Sequence, residues 1–450
     1  MYYPFFDVPK IGGGMLIAVV AILHVVVAHF AVGAGIFTAV AETFARRRND
    51  TLLLRFLQDN SRFLILFAFI LGAVSGVGIW FTIALVSPRA TSNLIHCFVW
   101  GWAIEWVFFA VEIVAGYCYY YTWRTVSPGR HLAIGWIYAV AAFASLFVIN
   151  GIITFMLTTG RFFEERAAGN YDAAFWAGFF NETFWPSLVL RTLSCLALAG
   201  IFVCIVVNLS RRYTREERTR IINYGAYCLA PFALMAPVSI WYFNNVPEAS
   251  RRMAGGGAIA MTLFLAFGVA CSVMIGAYAY FALIRKKRYV SLETSLLLAA
   301  MALVATGAME FVREGIRKPY VIQGHLWSNG IVDDPAEYEP LMRAGILSNI
   351  PWIVDPKDAA VADSKTRGDW VFRAQCIQCH TVDGVNGIRH LVNYDRDIIR
   401  NDIEYLHVRK TFMPPFVGTE REKADLAEYL YSLNYSARDR GYRMPNEDPE

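Results

Sequence analysis

Eight apolar stretches, each at least as long as the roughly 20 helical residues a bilayer's hydrocarbon core requires, constrain this chain more than any other feature. They lie near 13–44, 62–87, 95–122, 131–158, 186–209, 221–244, 257–284 and 291–312. Lipid offers no partner for a backbone N–H or C=O, so such stretches cross as helices that pair their own backbone. Of the 450 residues, 56% are hydrophobic, so most of the chain lives in lipid rather than around a soluble core. The formal net charge of +4 is small and gives no case for a nucleic-acid partner. Six of the eight cysteines, Cys97, Cys118, Cys195, Cys204, Cys228 and Cys271, fall in apolar segments, which predicts buried thiols and no disulfide framework. An arginine run, not a small-residue cleavage site, follows the first stretch, so no cleavable signal peptide is expected.

The basic residues are sorted by loop. Arg46-Arg47-Arg48 with Arg55, then Arg124 and Arg130, then Arg211, Arg212, Arg215, Arg218 and Arg220, then Arg285-Lys286-Lys287-Arg288 occupy alternate connections. By the positive-inside bias these face the cytoplasm. With an even number of spans, the N-terminus and everything after the eighth span are expected on the outer side of a bacterial inner membrane.

After the spans comes Cys376-Ile377-Gln378-Cys379-His380. Two thiols three positions apart can form thioether bonds to a haem, while the adjoining imidazole takes one axial iron position. Gly368-Asp369-Trp370-Val371-Phe372 reads as a helix leading into the motif, and Met413, in Thr411-Phe412-Met413-Pro414-Pro415-Phe416, sits in a proline-stiffened loop suited to the opposite face of the iron. Thr419-Glu420-Arg421-Glu422 starts a closing helix with a capping box, with Leu426, Tyr429, Leu430 and Leu433 at helical spacing. This order resembles a class I cytochrome c over roughly the last 85 residues. A zinc knuckle or redox dithiol at Cys376/Cys379 is the alternative, though no second ligand pair lies nearby; Met444 is a rival axial ligand in a polar tail. The attachment of c-type haem outside the bacterial cytoplasm agrees with the orientation read from the loops.

Ionisable side chains inside spans cost about 2.5–3.5 kcal/mol each on insertion scales, so each asks for a reason. His24 and His29 share the first span but are turned about 140° apart, so they cannot easily share one iron. Either can ligate a haem or simply hydrogen-bond to a neighbouring helix. Glu105 and Glu112, seven positions apart on one face of the third span, can ligate a haem, relay protons, or stay neutral and tune packing. Glu310, Glu314 and Arg317 are expected along one face at the end of the eighth span, where an arginine can neutralise a carboxylate or a haem propionate, or the charges can merely end the span. Arg191, early in the fifth span, can be a snorkelling arginine.

Leu23-His24, Gly33 and Glu42-Thr43, then Gly72-Ala73-Val74-Ser75-Gly76, Ala103-Ile104-Glu105, Phe108-Phe109-Ala110-Val111-Glu112, Asn150-Gly151 and Glu314-Gly315-Ile316-Arg317-Lys318-Pro319-Tyr320 resemble motifs of the larger, haem-bearing subunit of cytochrome bd oxidases, over residues 13–320. The resemblance implies His24 and Glu314 as haem-iron ligands, Glu105 as the acid opposite His24, and Glu112 in proton delivery. There are departures. The glutamates of the third span are one residue closer together, and Arg191 stands where the family has its low-spin haem histidine. Met253 is the nearest candidate for the low-spin methionine, the loop between spans six and seven is too short for quinol binding, and the ninth span is absent.

The expected fold class is all-α, a polytopic bundle of about eight spans with a small α-helical cytochrome c domain. The expected divisions are 1–319 for the membrane domain, 320–360 for a linker and 361–450 for the cytochrome c domain. The expected function is respiratory electron transfer, from a donor cytochrome c through covalent haem c at His380/Met413 to buried haem b or haem d, for dioxygen reduction. An electron-relay subunit of a larger quinol/cytochrome c complex, and a haem-free membrane anchor for the cytochrome, are the other readings. The expected partners are the membrane, the donor cytochrome and a second membrane subunit or larger complex.

Overall fold

The computed structural model describes residues 3–438; Met444 lies outside them. Its α-helices include eight long and apolar enough to cross a membrane: Gly13–Arg48, Thr51–Val86, Val99–Tyr121, Pro128–Phe155, Phe184–Leu209, Arg215–Asn244, Ile259–Arg285 and Leu292–Gly315, here spans one to eight. The fold is thus an all-α polytopic bundle. Span two begins eleven residues before its apolar stretch because the Asp50 carboxylate accepts the Leu53 backbone N–H at 3.1 Å and caps the helix there. Span six likewise begins early, at a capping box in which Thr214 Oγ1 accepts from the Glu217 N–H at 3.2 Å and Glu217 Oε2 from the Thr214 N–H at 2.8 Å.

The chain divides into two compact units. One is Val20–Trp80 with Leu94–Ile316; the other contains the described residues of Met1–Val19, Phe81–Asn93 and Arg317–Glu450. In the first unit span five packs against spans four, six and eight. Asn150 of span four is fully buried, donating to the Phe184 carbonyl at 3.0 Å and accepting from Ser187 at 2.7 Å, and so ties spans four and five together. Phe30, Phe63, Phe67 and Phe202 form an aromatic cluster joining spans one, two and five.

The second unit corrects one expectation. Residues 320–360, expected as a linker, are folded: strands Tyr320–Ile322 and Leu326–Trp327 pair antiparallel, and helices Pro335–Ala344 and Pro356–Val361 follow. Trp327, Ile346 and Leu347 are buried in the same core as Val371, Phe372 and Leu426. The Pro, Gly and Asn that read as linker composition serve here as caps and turns between apolar anchors. The N-terminal segment belongs to this unit too, since the Phe6 N–H donates to the Leu85 carbonyl and the Val385 N–H to the Lys10 carbonyl. Helices Ser364–Gln375 and Glu420–Arg438 cross where Gly368 has no side chain to strike the Asp425 backbone.

Candidate functional site

In the first unit the sequence places a short-side-chain motif against an imidazole. His24 Nδ1 lies 3.2 Å from Ser75 Oγ, and Ser75 donates to the Gly72 carbonyl at 3.1 Å. The Ser75 oxygen therefore accepts from Nδ1–H, leaving Nε2 with the ring's lone pair. Gly76 makes room for the ring: a Cβ there would stand 3.2 Å from His24 Cε1. The histidine's orientation is thus set by residues 72–76.

Glu105 accepts a 2.8 Å hydrogen bond from Ser145 of span four, and Glu112 is buried. His29 and Arg191 meet, with Arg191 Nη1 donating to His29 Nε2 at 3.5 Å. Arg313 donates to Glu310 at 2.8 Å, while Glu314 is half-buried on the last turn of span eight. Arg317 does not extend the Glu310/Glu314 face as expected, because the helix ends at Gly315 just before Pro319; its Nη1 reaches the Val321 carbonyl at 3.3 Å. Met253 is half-buried in the turn Met253–Gly257.

Sequence reasoning missed one cluster. His131 Nδ1 lies 2.9 Å from Glu42 Oε1 and its Nε2 3.0 Å from the Tyr119 carbonyl, while Arg46 donates to the same Glu42 oxygen at 2.6 Å. His131 and Glu42 are both fully enclosed. Its signal was present: Tyr119 continues the seven-residue stripe of Glu105 and Glu112. A cavity of about 1090 Å³ lies elsewhere in this unit, walled by Trp100, Ile104, Phe108, Trp136 and Phe147; none of the ligand candidates lines it.

In the second unit, helix Ser364–Gln375 delivers Cys376, and the Cys379 and His380 N–H groups fold back onto the Cys376 carbonyl at 3.0 and 2.9 Å. That turn places both thiols and the imidazole on one short segment. His380 Nδ1 donates to the Asn386 carbonyl at 3.2 Å, and Asn386 Nδ2 donates to the Cys379 carbonyl at 2.6 Å. Asn386 sits at φ 53°, a left-handed position that asparagine tolerates. Burial is the main cause that holds the His380 imidazole below its ordinary pKa, so the ring is neutral with Nε2 carrying a lone pair. Met413 is fixed through its backbone: its N–H donates to the Lys410 carbonyl at 2.8 Å, and His407 Nδ1 donates to its carbonyl at 2.8 Å. The expected capping box is present, with Thr419 and Glu422 exchanging bonds of 2.9 and 3.2 Å. Among the described residues no group of three or more His, Cys, Asp or Glu converges to cage a metal ion.

The model of the cytochrome bd terminal oxidase subunit I family matches residues 15–242, half of the chain. The chain belongs to that family. It is therefore a multi-pass membrane protein and a respiratory oxidase subunit of the cytochrome bd class, whose cofactors are haem b and haem d. Among solved structures, a bd oxidase from Geobacillus thermodenitrificans is similar at a TM-score of 0.51 and 18% identity, over 69% of this chain and 88% of that one; the likeness is one of fold. No curated protein matches the chain. The residues of this subunit I-type bundle fit a haem: His24 offers an oriented Nε2, and two buried N–H donors, His29 Nδ1 and Arg191 Nε, have no hydrogen-bond partner among the described residues.

Proposed function

We propose that this bd-type subunit takes electrons from an external cytochrome c through a covalent haem c and passes them to buried haem for dioxygen reduction. Bound haem supplies one-electron transfer and, where the iron keeps an open position, a site for oxygen. Cys376 and Cys379 would hold haem c covalently, and His380 and Met413 would offer nitrogen and sulfur to its iron. His24 and Glu314 would each hold a buried haem iron, of haem b or haem d, through one protein ligand. Ser75 keeps the His24 proton on Nδ1, and the asparagine carbonyl at 386 does the same for His380. Glu105, hydrogen-bonded to Ser145, and Glu112, enclosed one heptad deeper, would hold and pass the protons that oxygen reduction consumes.

The observation that carries this reading is the pairing, in one chain, of a Cys-x-x-Cys-His segment with a subunit I bundle whose connection between spans six and seven is only residues 245–258. Quinol entry has little room there, whereas the haem c motif offers another entry. Arg191 points the same way, because a guanidinium has no lone pair for iron. The loop charges favour a periplasmic N-terminus and cytochrome c domain in the bacterial inner membrane. A second membrane subunit completes the assembly.

Oxygen uptake by the purified protein, with reduced cytochrome c as sole donor, tests the proposal. Uptake supports it. No uptake by a preparation carrying haem c and buried haem overturns the oxidase reading in favour of an electron-relay subunit.

A further inference from the structure

The cavity of about 1090 Å³ in the first unit has no part in the reading above. Two apolar stripes at helical spacing wall it: Trp100, Ile104 and Phe108 on span three, and Val140, Ala144 and Phe147 on span four. Along span four the lining runs from Trp136 to Val148, about 18 Å of rise, a little more than one leaflet of a hydrocarbon core roughly 30 Å thick. The lining turns polar at the end where span three begins and span four finishes. There Arg166, Tyr171 and Asp172, from the connection between spans four and five, stand with His96 and Cys97. Phe98 holds that connection over the start of span three, with ring centroids 5.9 Å from Phe162 and 5.6 Å from Phe175. Arg161 pairs with Glu165, whereas Arg166 is exposed, lies 5.8 Å from the Phe162 ring, and has no ion pair or hydrogen bond among the described residues. Asp172 is exposed and equally without an ion pair or hydrogen bond among them. One cation and one anion thus stand at the mouth of an apolar groove, and neither neutralises the other.

We propose that this groove binds a zwitterionic phospholipid with an amine headgroup, phosphatidylethanolamine. Its phosphate meets Arg166, its ammonium meets Asp172, and an acyl chain lies between spans three and four. The charges select this occupant. A guanidinium suits a phosphate oxygen pair, and a carboxylate beside it suits an ammonium. An anionic phospholipid would satisfy Arg166 but be repelled by Asp172, and a neutral isoprenoid would leave both charges unmatched. The mouth also carries the rings that membrane proteins set at headgroup level: Trp100 is 74% exposed, Trp176 55% and Tyr171 70%. Apolar walls with a few polar groups at one end are the general form of a small-molecule site. The lipid site does not depend on where haem iron is held.

The test places the full-length protein in nanodiscs of phosphatidylethanolamine and phosphatidylglycerol in equal amounts. Either lipid is doped in turn with a photoactivatable form carrying a diazirine at its acyl-chain end, and peptide mass spectrometry reads the label on span four. Phosphatidylethanolamine should label the peptide around Ala144 more strongly than phosphatidylglycerol does. Asp172→Asn should cut labelling by phosphatidylethanolamine and remove the preference, and Arg166→Gln should cut labelling by both lipids, each about fivefold, the change one charge brings at a lipid surface. Ala144→Trp and Val140→Trp, which fill the groove, should abolish the label. If a tryptophan variant fails to assemble, the two headgroup variants, both at exposed positions, decide. Equal labelling by the two lipids in wild type, or labelling unmoved by Asp172→Asn and Arg166→Gln, would overturn the proposal. So would displacement of the label by an isoprenoid quinone, or no label at all, the result if a second membrane subunit covers the groove.

Discussion

The imidazole of His24 is tied to the hydroxyl of Ser75, 3.2 Å from Nδ1, and that hydroxyl is tied in turn to the Gly72 carbonyl. Each bond fixes the direction of the next, so a backbone carbonyl of span two decides which nitrogen of a span one histidine keeps its lone pair. Removing such an orienting partner costs about 10–100-fold in metal affinity at comparable sites. Ser75→Ala should therefore lower the ratio of buried haem to haem c in purified protein, Ser75→Thr should preserve it, and His24→Ala should abolish the haem bound there.

A second prediction concerns the segment from Cys376 to His380, proposed to hold haem c. Replacing Cys376 and Cys379 together with serine should remove the haem that survives a denaturing gel, while the pyridine haemochrome of the buried haem persists. Met413→Ala should keep the covalent haem but convert it from low to high spin, with loss of the weak far-red sulfur-to-iron absorption. An unaltered spectrum would mean that another side chain holds the sixth position.

The proposed proton supply is a role for the two glutamates of span three that is separable from iron ligation. Glu112→Gln is nearly isosteric and should leave the haem spectra intact while cutting oxygen uptake by about 100-fold or more. Full uptake in Glu112→Gln would remove it from the proton route.

The second unit holds a buried ion pair. Arg367 Nε donates to Asp425 Oδ2 at 2.6 Å, joining the two helices that cross at Gly368, and Asp425 is 3% exposed. Arg367→Met strands that carboxylate and should destabilise the unit by about 3–5 kcal/mol. The thermal transition followed at haem c should fall accordingly, with the membrane unit's transition unmoved.

Acid should loosen the connection between spans one and two. Burial alone would raise the Asp50 carboxyl, but the Leu53 N–H, the Tyr224 hydroxyl and the Arg220 guanidinium outweigh it, and the group is held below the usual carboxylate range. Its stabilisation is therefore fully present above about pH 4 and is lost as pH falls through the lower, folded value. Protection against hydrogen exchange at the first turn of span two, taken relative to the intrinsic rate at each pH, should fall at low pH in wild type, and should be low and independent of pH in Asp50→Ala.

Much of this was legible in the sequence. Eight spans follow from hydropathy because lipid forbids unpaired backbone, and the Thr419/Glu422 box follows from a local spacing rule. The start of span two was not legible, since Leu53, Phe56 and Leu57 are spread along an amphipathic turn too polar on average to register as apolar. Residues 320–360 were misread because turn-forming composition looks alike in a linker and in a loop-rich fold, and only the long-range burial of Trp327 and Leu347 distinguishes them. Ser75 was visible as part of a motif, but its contact with His24 spans 51 residues and no periodicity announces it. His131 and Glu42, 89 residues apart, were hidden for the same reason.

The most direct test of the central claim, that haem iron sits in the membrane unit with a position open to oxygen, is a carbon monoxide difference spectrum of the reduced, purified protein alongside a count of haem c and other haem. The account predicts haem c together with non-covalent haem, and a carbon monoxide response from the non-covalent haem that disappears in His24→Ala or Glu314→Ala. Haem c alone, or a full haem complement with no carbon monoxide response, would contradict it.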